Sequence, residues 1–585
     1  MSMDLCNELI TLLNSHISEN NISDALSIIN SSKYENYIKD RSWDLIPAIS
    51  KHLEEIEDNS LDTFHCCQSL LEEIAHKANA EEALLEFLEE AESVENDIKF
   101  LALLKPLEIV LFRLPKRRGH SLEWCLSMIQ THVSSLPYPE NYKLEGSERK
   151  LMDSDPSVVR INNVYEGVVN FYEPFIKELS CKKVLQDCRT EIQKDVLVSY
   201  IFRMLERPIA VLDLYHDGKS CSSVTYVIEK LLSFIVDIVC DPMVFLQYTE
   251  VRENLEEKDK KSTMSEENGS DIFNSEEKLP NLSVAVFYYL ILSEKLCINK
   301  IPHIYSPVYL YQRCLFLVVI LLENVEELLI HKGLLFAKEI LSQISDGSLN
   351  YLLLDSPVNV KFVKSLTKVM VYCEVEEMRK SAILIFQSYL RKFDVKGQYL
   401  LMSNLPKVIN HSGILGYLIM QLKDMIVNTF NDRLTLFSGK RLYDLIKKYC
   451  YLEHGAESDL VENADQIVSS LNLIRFLILR DKENKTGIWD RIGNIQISFL
   501  DCLREGIKLS RAHYELKLKD LKEEIRSGKI RNGENSEVNI IVGGQVLPNL
   551  PHENKEAVIY SALNVFDLME SLLSRINECI ESQYC

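Results

Sequence analysis

Apolar residues recur at helical spacing along almost the whole of this chain, and residues that would interrupt the pattern are scarce. Gly 19 and Pro 16 in 585 residues is about half the usual share of the two turn-makers. That shortage excludes a many-stranded sandwich, a barrel or a collagen-like rod, and leaves long helices with short connections. Residues 98–114 (IKFLALLKPLEIVLFRL) illustrate the pattern. Asp97 can cap the segment, Pro115 ends it, and Leu101, Leu104, Ile109 and Phe112 mark its apolar positions. Because it is apolar nearly all round, it is expected to be buried among other helices.

Two-helix units follow at 310–322 with 325–344, 359–372 with 376–393, and 397–407 with 414–429. Their starts lie about 40 residues apart, the period of HEAT or armadillo-type repeats. The fold class expected is therefore all-α, a helical-repeat solenoid. One small β-hairpin is expected near the C-terminus, in 538–547 (VNIIVGGQVL), where two β-rich runs flank Gly543-Gly544. A last helix is expected over 552–581. Residues 252–278 carry 5 basic and 9 acidic residues with few aliphatics, a composition that cannot bury enough surface to order itself. The expected division is an N-terminal repeat region 1–251, an acidic insert 252–280 and a C-terminal repeat region 281–585.

The formal net charge of −22 repels a phosphate backbone and argues against nucleic acid as a partner. The first residues have no basic stretch before an apolar run and no small-residue cleavage site, so no secretory signal is expected. The apolar runs near 282–292 and 314–322 are shorter than the ~20 residues needed to span a bilayer, so no membrane insertion is expected. The 15 cysteines include no C-x-x-C pair. They read as reduced thiols filling helix cores, in the cytoplasm or the nucleus.

Catalytic signatures are missing. His216-Asp217-Gly218-Lys219-Ser220 ends like a phosphate-binding loop, but the glycine that motif requires is replaced by Asp213. His65-Cys66-Cys67 has the residue types of a metal or nucleophile cluster, yet on a helix adjacent residues diverge by about 100°. Acidic pairs such as Glu72-Glu73, Glu89-Glu90 and Glu376-Glu377 fit solvated helix faces. The chain is expected to be no enzyme, to need no cofactor and to hold no metal.

Charge is unevenly placed: residues 396–529 hold 21 Lys and Arg against 17 Asp and Glu. Such a region can be a docking surface or simply a set of solvated helix faces. Within it, residues 465–481 (DQIVSSLNLIRFLILRD) place Ile467, Leu471, Ile474 and Ile478 on one core-facing stripe. The neighbouring stripe is Val468, Asn472, Arg475 and Leu479. It mixes aliphatic groups with an amide and a guanidinium, a composition suited to an interface because arginine offers a planar fork of donors on an apolar stem. Arg475 could equally be a rim residue paired with an acid of the next helix. Lys423, opposite Leu418 and Leu422, holds the analogous flank of the preceding unit, and stacked repeats would bring such flanks together.

The same blocks carry a family resemblance. HGAESDLVENADQIVSSLNLIRFLILRDKENKTGIWDRIGNI (454–495), GIKLSRAHYELKLK (506–519), SPVYLYQ (306–312), HKGLLFAKEIL (331–341), IIVGGQVLPNLP and SALNVFDLMESLLSRI resemble the glomulin family. The match is specific from about Ser306 onward. Earlier it rests on pieces such as SWDLIPAI and LLKPLEIV, and 252–278 departs from it. The resemblance implies an all-helical, non-catalytic inhibitor of cullin–RING ubiquitin ligases. Its C-terminal repeats would bind the RING subunit, with its attached cullin, and mask the surface that recruits the charged conjugating enzyme. On that reading Lys423, Asn472 and Arg475 hydrogen-bond the partner, while Val468 and Leu479 make apolar contact. The alternative is a general helical adaptor for transport or vesicle tethering.

Overall fold

The computed structural model describes residues 2–19, 21–54, 61–92, 96–114, 118–140, 146–181, 188–214, 222–239, 241–247, 279–430, 436–526, 541–542, 545–546 and 552–584. Helix dominates them, and the protein is an all-α helical repeat. The expected insert at 252–278 and the His216–Ser220 loop lie outside the described residues. So does most of the expected hairpin: only Ile541–Val542 and Gln545–Val546 are extended there. Two paired dipeptides are shorter than an ordinary strand and do not support a hairpin as an element of this fold.

Contacts gather the chain into two compact units, Met1–Ile340 and Leu341–Cys585. In the first, the helix Asp97–Phe112 is surrounded by Leu61–Lys77, Ala80–Glu92 and Pro156–Cys181. Phe100, Leu103, Leu107, Val110 and Leu111 are wholly buried, whereas Leu101, Ile109 and Phe112 are half-buried. The cap is Asn96 and not Asp97: its side chain accepts from Ile98 N at 2.8 Å. Asp97 is engaged elsewhere, with Arg160 Nε at 2.5 Å and His132 Nε2 at 3.0 Å. Burial would raise its carboxyl, but the hydrogen bonds from His132 and Arg160 outweigh that and hold it down to about 2. The His132 ring also stacks on Phe100, centroid to centroid 3.8 Å.

The helix Asn281–Leu292, read from sequence as the start of the C-terminal region, packs within the first unit. It is apolar on every side, so it needs neighbours all round. Phe287 meets Phe202 at 4.9 Å, and Tyr288 Oη donates to Pro242 O at 2.7 Å. Cys66 and Cys67 point into the core while His65 is exposed, so the cluster diverges as helix geometry requires. Burial, with Cys66 adding to it, pushes the Cys67 thiol up to about 12.

The second unit stacks helix pairs: Pro357–Tyr372 with Glu376–Lys392, Val395–Val408 with Ser412–Thr429, and Gly439–Tyr449 before Ala464–Arg480. Polar ties fix successive layers. Tyr389 Oη donates to Asn359 Oδ1 at 2.9 Å, and Asn359 Nδ2 to Leu353 O at 2.8 Å. Tyr449 Oη donates to Met402 O, and Gln466 Nε2 to Tyr449 O, both at 2.8 Å. All four side chains are buried or nearly so, which makes these bonds costly to leave unmade.

Asp501–Arg526 and His552–Tyr584 close the unit as an antiparallel pair. Tyr514 meets Phe566 at 5.6 Å, and Arg511 bonds Asp567 at 2.7 Å and Glu570 at 2.8 Å. Among the described residues Glu556–Ser582, within the last helix expected from sequence, is long and apolar enough to cross a membrane, a property the apolar runs near 282–292 and 314–322 do not share. Its apolar stripe, including Phe566, Met569, Leu573 and Ile576, is buried, as the helix packs on Asp501–Arg526 and Ala464–Arg480.

Candidate partner-binding surface

Ser412–Thr429 and Ala464–Arg480 lie against each other and run in the same direction. Ser412 Oγ accepts from Gln466 N at 3.2 Å, and Gly416 faces Asp465 and Ser469. Lys423 reaches Phe476. These contacts advance together along both helices, which is the parallel stacking of equivalent helices in a repeat. Gly416 allows the approach: a Cβ there would stand 2.9 Å from Asp465 O, a backbone atom that cannot swing away.

On Ala464–Arg480, Ile467, Leu471, Ile474 and Ile478 are all buried, none more than 3% exposed. The neighbouring stripe reaches solvent. Val468 and Arg475 are half-buried, Asn472 is exposed, and Leu479 is 49% exposed. The structure therefore brings the sequence-predicted residues of this helix onto one accessible flank. Arg475 makes no ion pair with a described acid. Its Nε is buried with no hydrogen-bond acceptor, an unmet demand in a position where donors ordinarily find partners.

Lys423 joins that flank from the neighbouring helix. Its Nζ lies 5.6 Å from the Phe476 ring centroid, and beneath it Leu418 and Leu422 are fully buried. Phe476, Met420 and Val427 belong to the same surface and were missed from sequence. Met420 and Val427 are 52% and 48% exposed, three residues before and four after Lys423. Phe476 sits four residues after Asn472 and three before Leu479, so the same helical spacing would have found it. The resulting surface sets cations and an amide among exposed aliphatic groups. It holds no assembled acid–base pair, and among the described residues no group of three His, Cys, Asp or Glu is placed to hold a metal ion.

Comparison with known proteins places the chain. A profile of the YAP/Alf4/glomulin family, itself described as uncharacterised, matches residues 3–547. Glomulin from Homo sapiens is 29% identical over 575 residues, covering 97% of this chain and 92% of that protein. Glomulin from Mus musculus is 28% identical over 572 residues, with the same coverage. The match spans both compact units, and with it the surface just described: the chain belongs to the YAP/Alf4/glomulin family.

Proposed function

We propose that this chain is a non-catalytic inhibitor of cullin–RING ubiquitin ligases. It binds the RING subunit, with its attached cullin, through the C-terminal repeats and occludes the surface that receives the conjugating enzyme. The observation that carries this reading is the accessible flank of Lys423, Val468, Asn472, Arg475 and Leu479 on parallel-stacked helices of a glomulin-family chain. Arg475, Lys423 and Asn472 donate to polar groups of the RING subunit, and Val468 and Leu479 cover its apolar residues. Such an interface needs on the order of 1,600 Å² to be stable, with a few buried anchors carrying most of the energy. We place the activity in the cytoplasm, with the nucleus as a second compartment.

Binding of the purified chain to a purified RING subunit, measured by titration calorimetry, tests the proposal. A saturable one-to-one complex is expected. No heat and no co-elution with the RING subunit, alongside recovery of transport factors from extract, would replace this reading with the helical adaptor.

A further inference from the structure

A different surface lies on the first helices of two successive pairs. Pro357–Tyr372 and Val395–Val408, with the short turn Tyr351–Asp355, enclose a groove of about 220 Å³. Val360 and Val363 form one wall, Leu400 and Val408 the other. Asp355 and Asn404 also line it. Val360 is 44% exposed, so that apolar wall is open to solvent.

The charge of the two wall helices departs from that of the chain, while the charged residue in the groove lining itself is Asp355. The two wall helices carry Lys361, Lys364, Lys368, Lys396 and Lys407 and not one Asp or Glu, in a protein of net charge −22. Lys396 is placed over the Tyr351 ring at 3.5 Å. Lys364, Lys368 and Lys407 are exposed and make no ion pair with a described residue. By helical spacing Lys364 stands one turn beyond Val360, and Lys407 one turn beyond Asn404, so both border the groove.

Size narrows the occupant. Small-molecule sites run to about 300–1,000 Å³, and this groove is smaller, apolar and open, which suits one large side chain. We propose that it docks an acidic peptide segment of a partner protein. One bulky aliphatic or aromatic residue of that segment enters between Val360 and Leu400, and its Asp or Glu residues lie against Lys364, Lys368 and Lys407. A nucleic acid or an anionic membrane would use the lysines but not the apolar slot, and would be repelled by the acidic remainder of the chain.

Fluorescence anisotropy on the full chain tests this with a labelled peptide that sets a leucine–phenylalanine pair between runs of glutamate. Saturable binding is expected, weakening as salt rises. It should fall at least tenfold in the double variant Lys364→Glu, Lys407→Glu, and equally when the peptide's apolar pair becomes two serines. These lysines are exposed, so an unchanged melting temperature should accompany the loss, and RING binding by the variant should be unchanged. Equal peptide binding by wild type and variant would overturn the proposal, as would undiminished binding of the serine peptide. Tighter binding of RNA or of phosphatidylserine vesicles would also overturn it. So would self-association of the chain that the same double variant abolishes.

Discussion

Lys423 Nζ lies 5.6 Å from the centroid of the Phe476 ring, and this contact makes two helices from successive repeats into one surface. A cation held over an aromatic face still has its remaining donors free for a partner. Such a contact contributes about 0.5–1 kcal/mol at an exposed site, enough to orient the lysine but too little to hold the fold.

Reversing Lys423 and Arg475 together to glutamate should therefore abolish RING binding while lowering the melting temperature only slightly. Arg475→Met separates the two roles further. It keeps an apolar stem and removes a buried Nε that has no acceptor, and an unpaired buried donor costs about 1–3 kcal/mol. Stability should be unchanged or higher, and affinity lower. Calorimetry and thermal melts on the same samples decide it. A large fall in stability with Arg475→Met would assign the guanidinium an internal structural role.

Gly416→Ala tests the parallel stacking. The added Cβ would meet Asp465 O at 2.9 Å and Ser469 Oγ at 3.0 Å. Because the first of these is backbone, the helices must separate, and overpacking of this kind costs about 1–3 kcal/mol. RING affinity should fall with stability, since separation moves Lys423 away from Phe476. Gly347→Ala is the informative contrast. Its φ of +72° strains any side chain, but nothing lies within 4 Å, so it should lose stability without losing affinity.

What the sequence made legible follows period. The stripe Ile467, Leu471, Ile474 and Ile478 is buried because three-to-four spacing alone determines which residues share a helix face, and the helix pairs from residue 357 onward emerged for the same reason. Relations between distant segments were not legible. Nothing local says that Asp97 will leave its capping position to Asn96 and bond Arg160, 63 residues away. Nor does spacing say that Ser412–Thr429 and Ala464–Arg480 stack in parallel, which is what gives Lys423 its partner ring. Asn281–Leu292 packs with the first unit through Phe202 and Pro242, again a tertiary choice that composition does not encode.

The Asp97 carboxyl, held down to about 2, gives a pH dependence with a definite sign. Its unfolded value is about 3.9, so the folded state favours the charged form. The stability it contributes is fully present above the unfolded value and is lost as pH falls from about 4 through about 2. Asp97→Asn should thus destabilise the first unit by about 1–2 kcal/mol at pH 6, after allowance for partial solvent screening. The gap to wild type should narrow as pH approaches about 3. Urea midpoints at both pH values measure it. A gap that stays constant across the range would mean that the Arg160 and His132 contacts act through packing and not through charge.

Occlusion makes the final prediction. If the chain covers the site that receives the conjugating enzyme, adding it should stop ubiquitin chain formation by a cullin–RING complex, and excess charged conjugating enzyme should restore it. The contest is between two occupants of one surface, so the inhibitor itself should need no nucleotide or metal. Affinity depends on buried anchors more than on area. The double variant at Lys423 and Arg475 should accordingly shift the inhibition curve to higher concentration, without changing the rate seen when the inhibitor is absent. Chain formation measured against inhibitor concentration, at two levels of conjugating enzyme, gives the answer. Curves that move apart in proportion to conjugating enzyme establish competition. Curves that coincide would place the block on the substrate side or in a clamp on the cullin, and would remove occlusion as the mechanism.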